Sequence, residues 1–136
     1  MKTFPLKIVT PDGVQFDGVA EQLTVRTTTG DVGILAGHIN YVAPLGMGEA
    51  VITTEGQKRF GACIGGMVSV ADGKVTLLPT TFEWADQIDV NRVHNSEERA
   101  QKMLERKDAS STDILLAQAR LKRALVRKSV SQRRAK

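Results

Sequence analysis

The punctuation of this chain stops at Trp84. All twelve glycines, all four prolines and all six aromatic residues lie at or before that position, and the 52 residues beyond it contain none. Glycine and proline mark turns and depress helix formation, so a chain that loses both at one point changes architecture there. Charge changes at the same place: residues 1–87 carry a net −3 and residues 88–136 a net +7. The expectation is a turn-rich acidic body over residues 1–86, followed by a basic helical hairpin over residues 87–136. At 136 residues the chain has the size of one ordinary domain, or of a small domain with an appendage.

The body reads as short strands. Leu23, Val25 and Thr27 alternate with Gln22, Thr24 and Arg26, the period of a half-buried strand. Pro11-Asp12-Gly13 and Thr29-Gly30-Asp31 read as turns, and Asp72-Gly73 between Met67–Ala71 and Lys74–Leu78 is a strong hairpin signal. About ten strand candidates precede Trp84, which argues for an antiparallel β-sandwich or barrel. The tail reads as two helices. The first starts near Ile88-Asp89, with Asp89 as N-cap, and runs to about Lys107; its stripe is Val93, Ala100, Met103 and Leu104. The second follows Asp108–Thr112, with Ser111 or Thr112 as cap, and its stripe is Ile114, Ala117, Leu121, Ala124 and Leu125. A break this short between two amphipathic helices predicts an antiparallel pair. The apolar faces are narrow and rich in alanine, so the pair is only marginally stable alone.

Several function classes find no support. His38 sits in a glycine-flanked loop and His94 on the first helix, neither with a His or Cys at metal-ligand spacing; His38 reads as a loop or interface residue rather than a base. No nucleophile motif or paired-carboxylate arrangement occurs, and Gly61–Gly66 lacks the order of a dinucleotide fingerprint. The expectation is a chain without enzymatic activity, catalytic residues, bound metal or required cofactor. The longest uncharged run, Val32–Gly48, is too short and too broken to span a bilayer, and the first residues show no signal peptide. Cys63, the sole cysteine, reads as a buried thiol in a reducing compartment. These features predict an intracellular soluble chain with no direct membrane insertion.

The arginines are more informative. Arg92, Arg99 and Arg106 recur every seven residues, and Arg120, Arg123 and Arg127 are three and four apart, so each set lines one side of its helix. In an antiparallel pair the two sets can converge on one polyphosphate through charge-assisted hydrogen bonds. Spacing alone leaves open a solvated basic face, partly neutralised by Glu97, Glu98 and Glu105. It also leaves a nucleic-acid reading, which the tail's lack of aromatic residues disfavours.

Three stretches carry a resemblance: Val9-Thr10-Pro11-Asp12-Gly13, then Gly30–His38, then Gly65-Gly66-Met67-Val68-Ser69-Val70. In order and spacing they are similar to the epsilon subunit of bacterial F-type ATP synthases, from Met1 to about Ser129. Departures are Ala36, where that family usually has proline, and Met67, where phenylalanine is common. The resemblance implies an α+β fold: a ten-stranded antiparallel β-sandwich followed by a two-helix hairpin. It implies a non-catalytic rotor subunit on the cytoplasmic face of the cell membrane, peripheral, bound to the gamma subunit and to the polar loops of the c-ring. Gly30, Asp31, Gly37 and His38 are the expected partner interface. Its extended hairpin would reach the alpha/beta catalytic head and hinder rotation in the hydrolysis direction.

In some bacterial members the folded hairpin binds one ATP through a motif Ile/Leu-Asp-x-x-Arg-Ala. Here the segment is Ile88-Asp89-Val90-Asn91-Arg92-Val93, with Val93 in place of alanine. The resemblance adds Glu83, Arg99, Arg123 and Arg127, so the implied regulatory ATP site is Glu83, Ile88, Asp89, Arg92, Val93, Arg99, Arg123 and Arg127. Glu83 and Asp89 would accept from the adenine amino group or position arginines, and the arginines would meet phosphates. Val93 would cost about 1 kcal/mol or more of affinity by crowding the nucleotide.

Overall fold

Alternation builds the first unit. In β1 (Phe4–Thr10) every second side chain, from Phe4 through Leu6 and Ile8 to Thr10, is buried. In β3 (Gln22–Thr27) Leu23, Val25 and Thr27 are buried as their spacing requires. The computed structural model describes residues 2–133 and divides into two compact units, Met1–Trp84 and Ala85–Lys136.

The remaining strands are β2 (Gly13–Ala20), β4 (Gly30–Leu35), β5 (Tyr41–Pro44), β6 (Met47–Thr54), β7 (Gln57–Ile64), β8 (Met67–Ala71), β9 (Lys74–Leu78) and β10 (Thr81–Trp84). They form two five-stranded sheets, ordered β2-β1-β9-β8-β5 and β10-β7-β6-β3-β4. The sandwich is antiparallel at every pairing but one. β1 and β9 run parallel, with Leu6 beside Val75 and Ile8 beside Leu77. That pairing joins strands far apart in sequence, and no local pattern announces it.

Inward-facing residues of both sheets make the core, among them Leu6, Ile8, Leu23, Val25, Ile34, Ile52, Val68 and Leu77. The Asp72-Gly73 turn has positive φ at both central positions, 50° and 80°, as its residue types demand. Glu55-Gly56, between β6 and β7, does the same with φ of 53° and 75°, although glutamate carries no turn signal of its own. Trp84 closes the end of the core. Phe82 and Phe16 meet it in T-shaped contacts, Arg59 lies 3.7 Å from its centroid, and its indole N–H donates to the Gln15 carbonyl at 3.3 Å.

Three chain crossings between the sheets meet at one corner. The β7–β8 link is Gly65-Gly66, the β5–β6 link is Leu45-Gly46, and the β9–β10 link is Pro79-Thr80. Gly65 N–H donates to the Gly46 carbonyl at 3.0 Å, Leu45 N–H to the Gly66 carbonyl at 2.8 Å, and Thr80 N–H to the Gly65 carbonyl at 3.3 Å. These bonds satisfy backbone groups at the points where strands leave one sheet for the other.

The second unit begins with a 3₁₀ turn, Ala85–Gln87, and continues as α1 (Val90–Glu105) and α2 (Ser111–Ser131). Asp89 caps α1, its Oδ1 accepting from the Arg92 N–H at 3.1 Å. The second cap differs from expectation: it is Ser110 rather than Ser111 or Thr112. Ser110 Oγ accepts from the Asp113 N–H at 3.1 Å and Asp113 Oδ2 accepts from the Ser110 N–H at 3.3 Å. This reciprocal box satisfies two amides at once, which the neighbouring hydroxyls would not do. Replacement of Ser110 by alanine is expected to cost about 1 kcal/mol, read as faster amide exchange through the first turn of α2. An unchanged exchange rate there would contradict the role of the cap.

Candidate functional site

The hairpin's geometry follows from its buried residues. Val93 and Ala100 on α1 are buried, as are Ala117 and Ala124 on α2, each pair seven residues apart. The helices pack against each other through these faces. An α-helix advances about 100° per residue, which places Arg92 about 100° and Asp89 about 40° to one side of Val93. Arg99 lies about 100° from Ala100 in the same rotational sense. On α2, Arg123, Arg127 and Arg120 lie about 100°, 60° and 40° from Ala124, again in that sense. In an antiparallel pair, equal rotational senses away from the seam lead to the same side. All five arginines therefore line one side of the hairpin.

The opposite side supplies a check. Glu97 and Lys128 each lie about 40° from the seam in the other sense. They form an ion pair between the helices, Lys128 Nζ to Glu97 Oε2 at 3.5 Å, with the Glu97 side chain only 13% exposed. Only if both residues stand on one side of the hairpin can that contact form.

Arg106 does not extend the α1 row: it is the C-cap residue, extended at φ −73° and ψ 132°, and its guanidinium grips Asp108 with two bonds of 3.1 and 2.9 Å. That hydrogen bonding holds the Asp108 carboxyl below, and the Arg106 guanidinium above, their ordinary pKa values. Val93, expected to crowd a nucleotide, is 7% exposed on the buried face of α1, about 100° from Arg92. Its methyl groups add apolar burial to the folded unit.

The other site residues fall as follows. Ile88 is buried just ahead of the cap, Arg92 and Arg99 are exposed, and Arg123 and Arg127 are half-buried. Arg92, Arg99, Arg120 and Arg123 make no side-chain ion pair among the described residues. Four cations on one side with no carboxylate partner repel one another, and an anion with several oxygens relieves that repulsion. Glu83 belongs to the other unit, on β10, where Phe82 and Trp84 turn into the core and Glu83 faces the outer side of its sheet. Arg120, at the three-and-four spacing of its row, is the residue that the motif left out and the geometry adds.

The four residues expected to form one interface do not adjoin. Gly30 and Asp31 open β4, while Gly37 and His38 follow its far end. Four strand residues, Val32–Leu35, and then Ala36 lie between the pairs, and Asp31 to Leu35 alone is a rise of roughly 14 Å. Asp31 is held by Arg26 at 2.9 Å, a hydrogen bond that lowers its pKa. His38 Nδ1 lies 2.7 Å from the Ile39 carbonyl and its ring meets Tyr41 edge-on.

Cys63 is buried, and burial pushes its thiol up to about 12. At pH 8 that leaves on the order of a thousandfold less thiolate than a free cysteine holds. Alkylation by a thiolate-directed reagent is expected only on unfolding, and modification of the native chain at the rate of free thiol would contradict this. Among the described residues, no three His, Cys, Asp or Glu gather where a metal could bind, and no helix is long and apolar enough to cross a membrane.

The description "ATP synthase, Delta/Epsilon chain, beta-sandwich domain" matches residues 3–85, and "ATP synthase, Delta/Epsilon chain, long alpha-helix domain" matches residues 86–132. An ATP synthase epsilon chain of Ruminococcus albus is 43% identical over 135 residues, covering 98% of this chain and 100% of that one. One of Bacillus cytotoxicus is 40% identical over 131 residues, covering 96% and 98%. The fold is also similar to a chain in the Euglena gracilis mitochondrial ATP synthase, with TM-score 0.82 and 22% identity, covering 93% of this chain and 80% of that one. A chain of the Tetrahymena thermophila mitochondrial ATP synthase central stalk and c-ring gives TM-score 0.61 at 15% identity, covering 96% and 97%.

Proposed function

This chain belongs to the ATP synthase delta/epsilon chain family, as a non-catalytic subunit of the rotary complex, and from that premise we propose that its helical hairpin binds ATP and so regulates hydrolysis. The carrying observation is the row of arginines from both helices on one side of the hairpin, four of them without an ion-pair partner among the described residues. In this reading the subunit stands on the central stalk with gamma and the c-ring loops, peripheral to the membrane on its cytoplasmic face, and couples rotation to ATP synthesis. Asp89, the N-cap of α1, stands at the adenine end.

The switch has simple energetics. The seam between α1 and α2 is mostly alanine, which buries little apolar area, so the folded hairpin holds a small margin. ATP binding only the folded form, at about 100 times its dissociation constant, favours it by about 2.7 kcal/mol. Low ATP releases the helices, and their basic sides become available to the alpha/beta head. Isothermal titration of ATP into the full chain tests this. Saturable heat is expected; none at millimolar ATP would leave a coupling subunit with an inert hairpin.

A further inference from the structure

Resting on the reading of the hairpin as an ATP site, we infer that Arg120 is a specificity residue that contacts the terminal phosphate and separates ATP from ADP. Charge orders the site along the hairpin axis. Asp89, at the open end, is an acceptor and an anion, so it suits the adenine amino group and repels phosphates. The triphosphate therefore runs from Asp89 toward the hairpin turn. Along α1 the arginines continue in that direction from Arg92 to Arg99, a rise of about 10 Å. Along α2 they continue from Arg127 through Arg123 to Arg120, which lies three residues, or about 4.5 Å, nearer the hairpin turn than Arg123.

Arg99 and Arg120 thus form the end of the row where the last phosphate arrives. Both are exposed and neither makes an ion pair among the described residues. Lys122 sits about 160° from the seam, on the outward side of α2, and cannot reach the row. A diphosphate placed by the same adenine contact stops short of Arg120, so only the nucleotide with three phosphates draws on it.

The test is titration of ATP and of ADP into the full chain and into Arg120→Gln and Lys122→Gln variants at one ionic strength. Arg120→Gln is expected to weaken ATP about tenfold and ADP less than twofold. Lys122→Gln removes the same charge and is expected to change neither. Equal losses for ATP and ADP in Arg120→Gln, equal losses in the two variants, or full ATP affinity in Arg120→Gln would each overturn the assignment and leave the ATP site standing. Absence of ATP binding by the unaltered chain would overturn both.

Discussion

Gly66→Ala is expected to destabilise the β-sandwich by about 3–5 kcal/mol, a large share of what a domain of this size holds. Two independent causes add. The backbone at Gly66 has φ of +95°, a conformation that costs a residue with a side chain about 1–2 kcal/mol. A Cβ there would also overlap the Leu78 carbonyl oxygen and approach the Pro79 Cα at 2.7 Å. Neither neighbour is the end of a flexible side chain. Both belong to the backbone at the end of β9 and the start of the β9–β10 link, which the Thr80 N–H bond to the Gly65 carbonyl holds in place, so the clash has nowhere to relax. Gly73 is the control: its φ is +80°, but a Cβ there meets nothing within 4 Å. Gly73→Ala should therefore show only the backbone cost, about 1–2 kcal/mol. Trp84, the sole tryptophan, lies in the core of this unit, so its fluorescence follows urea unfolding of the sandwich directly. Equal midpoints for the two variants would remove the argument for a packed corner at Gly66.

Legibility in the sequence followed locality. The Asp72-Gly73 turn and the β3 alternation were readable because their causes lie within a few residues: positive φ at both turn positions, and one buried face. The Asp89 cap was readable for the same reason. Ser110 was not singled out because three hydroxyl residues in a row, Ser110-Ser111-Thr112, have similar cap preference, and only the reciprocal bond to Asp113 decides among them. Asp113 stands three residues after Ser110, so the deciding signal was present in the chain. The parallel β1–β9 pair and the meeting of three crossings at Gly65-Gly66 had no local cause to read. In the hairpin, helical spacing placed the arginines correctly except Arg106. The helix ends one residue earlier, and a carboxylate two residues on captures that guanidinium.

The second large effect is on ATP affinity. Arg92→Ala and Arg123→Ala are each expected to weaken ATP at least tenfold, about 1.4 kcal/mol, and the double variant about a hundredfold. These two residues stand on different helices on the same side of the seam, so each removes a contact that the other cannot replace. The same variants carry a second, opposite signature. Without ATP, Arg92, Arg99, Arg120 and Arg123 stand on one side of the hairpin and make no ion pair among the described residues, so deleting one relieves repulsion and leaves the ligand-free hairpin no less stable than the original. A merely structural arginine would behave the other way, lowering stability in the absence of ATP. Amide exchange through α2, measured with and without ATP, separates the two cases. The expected pattern is protection by ATP in the unaltered chain, little protection in either single variant, and ligand-free exchange no faster than before. Variants that unfold the hairpin without ATP while still binding it tightly would show that these guanidinium groups hold the helices together and not a nucleotide.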